Sequence, residues 1–202
     1  ADFCWVWAGP YSTMLLATLG AEVIKIEGHK RTDLTRHGVV WPLPDPMPTM
    51  LKPNQGMSFN SVNMSKKSVT LDLAKPEGRY LAKRLAVVSD VVVDNLRAGA
   101  MQRMGLGYEE LRKLNPGVIV VSLSSRGQEG PQKDYGGYAS IHQAIGGVAY
   151  ATGYPDDGPS ASGGDADIMN ATTTAFAVLA ALYHRAKTGE GQFIDYSQCE
   201  GV

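Results

Sequence analysis

Glycine and cationic side chains recur directly after four predicted strands, and together they suit a ligand that carries phosphates. The four segments are Trp7-Ala8-Gly9-Pro10, Gly28-His29-Lys30-Arg31, Asn95-Leu96-Arg97-Ala98-Gly99 and Ser124-Ser125-Arg126-Gly127. Glycine lets a backbone approach a phosphate closely, while Lys, Arg and the N-termini of helices supply positive charge. Gly and Arg are also common in ordinary loops, so the residues alone leave both interpretations open.

Asp165 is the carboxylate whose position best suits covalent chemistry. It follows Gly163-Gly164 and directly precedes the longest predicted helix. There it could act as an exposed nucleophile on a flexible turn, kept ionised by the amides of the helix N-terminus. The alternative is a helix N-cap, because Asp is among the best residues at that position. Asp167 is the local competitor, and we expect its side chain to point elsewhere on the helix.

Dehydrogenase, metal and serine-hydrolase chemistry are not favoured. Glu27 ends the second predicted strand, where a dinucleotide-binding fold places its ribose-binding acid. However, the first turn lacks the G-x-G-x-x-G motif, and Pro10 removes a backbone N–H that would bind a pyrophosphate. The His and Cys residues show no metal-ligand spacing, so no metal is expected. No G-x-S-x-G motif is present.

Composition narrows the class of protein further. The 202 residues include 19 Lys plus Arg and 20 Asp plus Glu, a balance that argues against general nucleic-acid binding. Two distant cysteines and the lack of a signal-peptide pattern favour a cytoplasmic protein. The longest apolar run is too short to span a membrane. The start without Met and the abrupt end predict a fragment of a longer chain.

The elements that must position these residues alternate between strands and helices. Strands are predicted over residues 3–8, 22–27, 68–73, 90–94, 118–123 and 192–196, and helices over 11–19, 76–88, 138–150 and 166–187, with short helices around Met101 and Leu111. The fold class is therefore α/β, with a Rossmann-like, doubly wound and mainly parallel sheet in one domain. Such sheets bind ligands at the carboxyl ends of their strands.

The apolar spacing of the two longest helices predicts which of their faces pack against the core. Leu81, Leu85 and Val88 share one face of the first helix. Ile168, Thr172, Phe176, Leu179 and Tyr183 share one face of the second. Residues 28–67 break this regularity, and four prolines within 41–48 exclude regular structure there.

Several of these segments, taken in order, resemble the family III CoA-transferases, a group that also includes α-methylacyl-CoA racemase. The matching stretches are Asp2-Phe3, Ala8-Gly9-Pro10-Tyr11, 19–27, 32–36, 63–68, Leu71-Asp72-Leu73, 94–99, Met101, Met104-Gly105, Gly164-Asp165 and 188–192. Together they extend over nearly the whole chain in the expected order.

The resemblance implies a CoA thioester as substrate, with no permanently bound cofactor. It assigns the adenine and phosphates of CoA to Trp7, Ala8, Lys66, Lys67 and Arg103, and the pantetheine to Asn95 and Leu96. Members of the family often carry Arg where this sequence has Gly28. His29, Lys30 or Arg31 is expected to supply that contact instead.

The resemblance also assigns the nucleophile to Asp165, the Asp of a Gly-Asp pair. Its carboxylate would attack the thioester, and CoA would pass through an anhydride and an aspartyl-CoA thioester to an acceptor carboxylic acid. The racemase branch needs a His where this chain has Tyr138, a poor base at neutral pH. His142, one helical turn later, stays open as a substitute. Tyr138 is expected to orient a substrate carboxylate or to pack.

Members of the family are much longer and form interlocked homodimers. Residues 1–202 would then be the N-terminal part of the large, CoA-binding domain. Three hypotheses follow: a CoA-transferase, which the missing His favours, a racemase or isomerase of 2-methylacyl-CoA, and a truncated, catalytically inactive CoA-binding domain. No nucleic acid or membrane is expected as a partner.

Overall fold

The structure is a computed structural model that describes residues 1–37, 54–160 and 164–202. Five strands are present in these ranges: β1 (Ile24–Glu27), β2 (Lys67–Thr70), β3 (Val91–Asp94), β4 (Ile119–Ser124) and β5 (Phe193–Ser197). The helices there are α1 (Ala8–Thr18), α2 (Met57–Ser61), α3 (Pro76–Val88), α4 (Ala100–Arg103), α5 (Tyr108–Leu111), α6 (Ala139–Ile145), α7 (Val148–Ala151) and α8 (Asp165–Thr188), with a 3-10 turn at Leu34–His37. The predicted proline-rich irregular segment, 41–48, lies outside the described residues.

The N-terminal residues join two groups of parallel strands into one sheet. β1 pairs with β2, β3 pairs with β4, and β4 pairs with β5, all in parallel. Asp2 forms parallel bridges to both Lys25 and Val93, so it lies between β1 and β3. The order across the sheet is β2, β1, the N-terminal segment, β3, β4, β5. The chain therefore turns from one half of the sheet to the other beside its own N-terminus, which confirms the Rossmann-like, doubly wound prediction.

The predicted strand over residues 3–8 is wrong, although its apolar character has a physical reason. Phe3 and Cys4 are buried in the core, but strand pairing stops near them, and α1 already begins at Ala8. Val6 has a φ of +68°, a left-handed conformation that a β-branched residue rarely adopts. The segment is apolar because it is buried, and its backbone turns because side chains from other loops bind it.

The predicted core faces of α3 and α8 are also wrong. Small residues pack instead: Gly78, Ala82 and Ala86 in α3, and Ala171, Ala175, Val178 and Ala181 in α8. Leu81, Val88, Ile168, Thr172, Phe176, Leu179 and Tyr183 are exposed, and Leu85 is only half-buried. A Cβ added at Gly78 would lie 2.0 Å from the carbonyl oxygen of Asp72, so the helix approaches too closely for a larger residue. Such close approach selects small side chains over large ones.

The remaining helices follow their sequence signals more closely. The boundaries of α3 match the prediction, with Pro76 at its first turn. The predicted helix over 138–150 is interrupted at Gly146-Gly147, where Gly147 has a φ of +85°, and becomes α6 and α7. Among the described residues, no helix combines the length and apolarity that crossing a bilayer requires.

Candidate active site

A cleft of about 990 Å³ opens at the carboxyl edge of the sheet, beside the point where the strand order reverses. Its lining includes Trp5, Trp7, Asn95, Leu96 and Asp167. This volume lies at the upper end of ordinary ligand sites, and the position is the one where open α/β sheets bind their ligands. The sequence prediction of a site at the strand ends is therefore consistent with the geometry.

The loop between the N-terminal segment and α1 is held by side chains from two other loops. The Trp5 N–H donates to Oδ1 of Asn95 (2.8 Å), and Nδ2 of Asn95 donates back to the Trp5 carbonyl oxygen (2.7 Å). The Val6 N–H donates to the carboxylate of Asp33 (3.1 Å). These bonds stabilise the left-handed backbone at Val6 and fix the position from which Trp7 enters the cleft.

Lys66 does not lie in the cleft, in contrast to its predicted role in binding CoA. Its ammonium group is buried and forms an ion pair with Asp2 (Nζ–Oδ2 3.0 Å), and it also donates to the carbonyl oxygen of Pro10 and to Asn63. Burial alone would raise the pKa of Asp2, but the charges of Lys66 and Lys25 outweigh it and hold that pKa below its usual value. Within the described ranges, Lys66 therefore directs its hydrogen bonds to the fold and not to the cleft.

Lys67 and Arg103 are also absent from the lining of the cleft. Lys67 begins β2, at the opposite end of the strand, and forms an exposed ion pair with Glu22 (2.7 Å). Arg103 is exposed, and its guanidinium donates a long hydrogen bond to the carbonyl oxygen of Ala98 (3.4 Å). The neighbouring Met104 does line the cleft.

The loop after β1 contributes two of its three predicted cations. Lys30 and Arg31 line the cleft and are exposed, whereas His29 is exposed but outside the lining. The guanidinium of Arg31 lies 5.4 Å from the centre of the Trp5 ring, a cation–π distance. Arg97, after β3, adds a further exposed cation to the lining. The cleft therefore carries positive charge at two strand ends.

Glu27 closes this end of the cleft as a structural group. Its carboxylate accepts hydrogen bonds from Arg36 (2.5 Å from Nη2) and from the Asp33 N–H (3.1 Å). Burial alone would raise the pKa of Glu27, but these bonds and the charge of Lys25 outweigh it and hold the pKa below its usual value. A carboxylate that is already paired in this way is not available to a ribose hydroxyl, which agrees with the rejection of a dehydrogenase.

The first turn of α8 places Asp167, and not Asp165, in the cleft. Asp165 is the first helical residue, is exposed and does not line the cleft. Gly164 holds the N-cap position, so Asp165 is not the cap either. Asp167 lines the cleft and is half-buried. In the described part of the chain its carboxylate has no hydrogen bond or ion pair.

The environment of Asp167 changes its acidity. Burial raises the pKa of Asp167 to about 6, because no cation or hydrogen-bond donor in the described residues compensates for the lost hydration. A carboxylate with a raised pKa is more basic and, once ionised, a stronger nucleophile than an ordinary Asp. Groups with shifted pKa values concentrate at functional sites, and a half-buried, unpaired carboxylate in the lining of a ligand cleft fits that pattern.

Two contacts to β5 hold this turn of α8 in position. Nδ2 of Asn170 donates to the carbonyl oxygen of Gln198 (3.2 Å), and the Tyr196 hydroxyl donates to Oδ1 of Asn170 (3.0 Å). Nε2 of Gln198, which also lines the cleft, donates to the carbonyl oxygen of Leu123 (3.2 Å). The helix that carries Asp167 is thus tied to the ends of β4 and β5.

Tyr138 and His142 form the wall provided by α6. Tyr138 lines the cleft and is 66% exposed, while His142 is buried and reaches the same lining. Nε2 of His142 lies 3.1 Å from Oγ of Ser125, and its Nδ1 is buried without a hydrogen-bond partner among the described residues. Burial and the charge of Arg126 lower the pKa of His142. With one ring nitrogen bound and the other enclosed, this geometry does not favour His142 as a substitute base.

No group of metal-ligating side chains occurs within the described ranges. Of the predicted site residues, the structure brings together Trp7, Ala8, Lys30, Arg31, Asn95, Leu96 and Tyr138 at the cleft. It leaves His29, Lys66, Lys67, Arg103 and Asp165 outside its lining. The sequence indicated Asp167 only as a competitor and Arg97 only as part of a cationic segment after a strand, and it gave no sign of Gln198 as a lining residue.

Comparison with known proteins identifies the family to which this fold and cleft belong. Residues 1–202 match the family described as CoA-transferase family III, so the chain belongs to that family, as the sequence resemblance indicated. The crystal structure of a CAIB/BAIF family protein from Brucella suis superposes with a TM-score of 0.85 and 35% sequence identity, and the match covers 99% of this chain and 52% of that one.

Curated relatives carry CoA-transferase names. A succinyl-CoA–D-citramalate CoA-transferase from Chloroflexus aurantiacus is 39% identical over 205 residues, which covers 96% of this chain and 46% of the relative. A succinate–glutarate CoA-transferase from Agrobacterium fabrum is 38% identical over 191 residues, which covers 94% of this chain and 47% of the relative. The chain thus spans about half the length of the curated relatives it matches.

Proposed function

We propose that the full-length protein transfers CoA from an acyl-CoA donor to a carboxylic acid, and that Asp167 rather than Asp165 forms the covalent intermediate. The observation that carries this proposal is the unpaired, half-buried carboxylate of Asp167 in the lining of the cleft. Membership of CoA-transferase family III supports the reaction class. Residues 1–202 are then the N-terminal part of the large CoA-binding domain.

The covalent steps are balanced without a general base. A carboxylate oxygen of Asp167 attacks the thioester carbonyl, the C–S bond breaks, and CoA leaves as the thiolate. The thiolate attacks the aspartyl carbonyl of the resulting anhydride, so the donor acid leaves as a carboxylate. The acceptor carboxylate then displaces the thiolate from the aspartyl-CoA thioester. The thiolate finally attacks the acyl carbonyl of this second anhydride, which forms the new acyl-CoA and restores Asp167.

Every nucleophile in these reaction steps is already an anion, so no general base is needed. This suits the cleft, because His142, the histidine of its described lining, has one ring nitrogen bound to Ser125 and the other buried. Asp167 must be ionised to attack. Because its pKa is about 6, we expect kcat/KM to fall as the pH drops below about 6 and the carboxylate is protonated. Partial burial also limits the water that could hydrolyse the anhydride.

The charges of the cleft suggest an orientation for CoA. Lys30 and Arg31 lie at the end of β1 and suit the phosphates, with Trp5 beside them for the adenine. Asn95 and Leu96 then border the pantetheine, and the thioester reaches Asp167 at the start of α8. CoA and its thioesters act here as substrates, and no permanently bound cofactor is required.

The relatives' names support a dicarboxylate as one of the two acids. Several of these names pair succinyl-CoA with citramalate, malate, glutarate or mesaconate. We extend this substrate class to the present protein as part of the proposal. Arg97 and Tyr138 are the lining residues that could bind or orient a second carboxylate.

The proposal also includes a homodimer in the cytoplasm, acting on soluble substrates without nucleic acid or membrane. The exposed apolar residues of α8, among them Phe176 and Tyr183, support a surface that another part of the assembly covers. The balanced charge of the chain supports small-molecule substrates over nucleic acid.

The test is CoA exchange between acids. The full-length protein is incubated with succinyl-CoA and a panel of carboxylic acids, and new acyl-CoA species are separated by liquid chromatography. Transfer to a second acid supports the proposal, and an Asp167→Asn variant serves as the matched control. Loss of an α-proton to deuterated water without transfer would instead show a racemase. CoA binding with neither reaction would show an inactive CoA-binding protein.

A further inference from the structure

Trp7 lies at the reacting end of the cleft, beside the helix turn that carries Asp167. A Cβ added at Gly164 would lie 3.9 Å from Cζ3 of the Trp7 ring, and Trp7 and Asp167 line the same cleft. Gly164 and Asp167 are separated by three residues, about 4.5 Å along a helix axis. We infer that Trp7, instead of binding the adenine and phosphates as the family resemblance implied, forms the wall of the acyl subsite and sets the largest acyl group that can reach Asp167; this inference rests on the proposed function.

The backbone on which Trp7 stands is rigid. Reciprocal hydrogen bonds between Trp5 and Asn95 fix the preceding residue, and the left-handed Val6 is bound by Asp33. α1 begins directly after Trp7. The Cα of Trp7 therefore keeps its position beside the cleft, and a larger acyl group cannot be accommodated by moving this backbone without breaking these bonds.

The indole ring contributes to the cleft through its shape. Its Nε1 is buried and has no hydrogen-bond partner in the described part of the chain. A buried donor without a partner reduces stability, so the N–H itself gives the fold nothing. What the side chain does provide is a large planar ring, half-buried in the wall of the cleft. A Phe at this position would keep most of the wall and remove the unpaired donor.

The other side chains that line the cleft near Trp7 differ in how easily they can move away from a bound acyl group. His142 and Gln198 are buried and held by hydrogen bonds to Ser125 and Leu123. Tyr138 is 66% exposed and can swing into solvent. Trp7, in contrast, is a large aromatic ring in the lining of the cleft that extends from a hydrogen-bonded backbone beside the start of α8. Acyl groups on Asp167 must fit against it.

The experiment compares kcat/KM for succinyl-CoA, glutaryl-CoA, adipyl-CoA and suberyl-CoA in the full-length protein. Trp7→Ala is expected to raise the adipyl-to-succinyl ratio of kcat/KM at least about tenfold, since added methylenes in a tight pocket discriminate by about 10- to 200-fold. Trp7→Phe should keep the wild-type ratio. Trp5→Leu, which removes the ring beside Arg31, should raise KM for every donor without changing the ratio.

Each outcome separates the inference from the proposal beneath it. An unchanged ratio in Trp7→Ala, with the adduct on Asp167 still formed, overturns the role of Trp7 and leaves the transferase intact. A Trp7→Phe variant that changes the ratio as Trp7→Ala does shows that the N–H matters, and overturns the argument from shape. Absence of an Asp167 adduct in the wild type overturns the proposed function itself. If Trp7→Ala does not fold, Trp7→Leu is measured with the same criteria.

Discussion

Carboxylates at two places along the edge of the sheet are buried to different degrees, and their acidity changes in opposite directions. Asp2 and Glu27 are almost fully buried, yet their pKa values lie below the usual range. Asp167 is only half-buried, yet its pKa rises to about 6. The difference is the cation: Lys66 and Arg36 pair with the first two, and no described group pairs with Asp167.

This comparison separates the carboxylates that build the cleft from the one that faces a ligand. The paired carboxylates hold the N-terminal segment, the loop after β1 and the cations around them in place. The unpaired carboxylate of Asp167 loses hydration by burial, which disfavours its anion, and it has no partner among the described residues. A reacting group needs this combination, because a partner would have to be displaced before attack.

Asp94 shows that a raised pKa is not sufficient evidence of function. Burial raises the pKa of Asp94 to about 7, although hydrogen bonds from the Leu96 N–H and the Ser122 hydroxyl oppose the rise. Both of its oxygens are occupied, and it does not line the cleft. Position and free oxygens, rather than acidity alone, distinguish Asp167.

The largest effect is expected from removing the unpaired carboxylate. Asp167→Asn should reduce kcat for CoA transfer by at least about 10⁴-fold, because an amide cannot form the anhydride. Asp165→Asn should leave kcat unchanged, because that side chain is exposed outside the cleft. Steady-state kinetics on the full-length protein measure both. Equal losses in the two variants would remove the distinction on which the comparison depends.

Breaking the paired region should affect stability before chemistry. Lys25 is buried, 3.3 Å from Asp33, and its Nζ also donates to the carbonyl oxygen of Cys4 (2.6 Å). Lys25→Met leaves the Asp33 charge without this partner and should lower the free energy of unfolding by about 3 to 5 kcal/mol. Urea denaturation measures the loss.

Lys67→Met is the control for this variant, since it removes the exposed pair with Glu22 and should change stability too little to detect. If Lys25→Met were as stable as the wild type, the buried charges would not be what holds this side of the cleft.

A pH-dependent effect is expected at Asp94. The pKa of Asp94 is about 7 in the folded protein and about 3.9 in an unfolded chain. The stability that the protonated carboxyl group contributes to the folded protein is therefore fully present below about pH 4. It is lost as the pH rises toward 7, by at most about 1.4 kcal/mol per pH unit, and levels off above that. Asp94→Asn removes the charge: its Oδ1 still accepts from the Leu96 N–H, and its Nδ2 donates to the Ser122 hydroxyl oxygen, which reverses that bond.

Unfolding curves of Asp94→Asn and the wild type between pH 5 and 8 test this effect. The stability advantage of the variant should grow with pH. A constant difference across this range would mean that Asp94 titrates near its usual pKa.

The sequence predicted five of its six strands and the ends of α3 well, because apolar runs and Pro76 are local signals. It did not predict the packed faces of α3 and α8, because close approach of these helices selects Gly and Ala. The wrong packed face of α8 also bears on the choice between Asp165 and Asp167. Asp165 shares a helical face with the exposed Phe176 and Tyr183, whereas Asp167 shares the packed one.

A usable signal was present in α8. Asn170, Ala171, Thr174, Val178 and Ala181 follow Asp167 at spacings of three and four residues, and all of them are buried. Read as the packed stripe, these small and polar residues would have placed Asp167 toward the core. The roles of Lys66 and Lys67 could not be found in this way, because their partners, Asp2 and Glu22, are distant in sequence.

The most direct test is to trap the intermediate and locate it. The full-length protein is mixed with its acyl-CoA donor, quenched with hydroxylamine or borohydride, digested and mapped by mass spectrometry. A modified side chain is expected at Asp167, which appears only with donor present and is absent from Asp167→Asn. Modification at Asp165, or full turnover with no modified aspartate, would contradict the proposed role of Asp167.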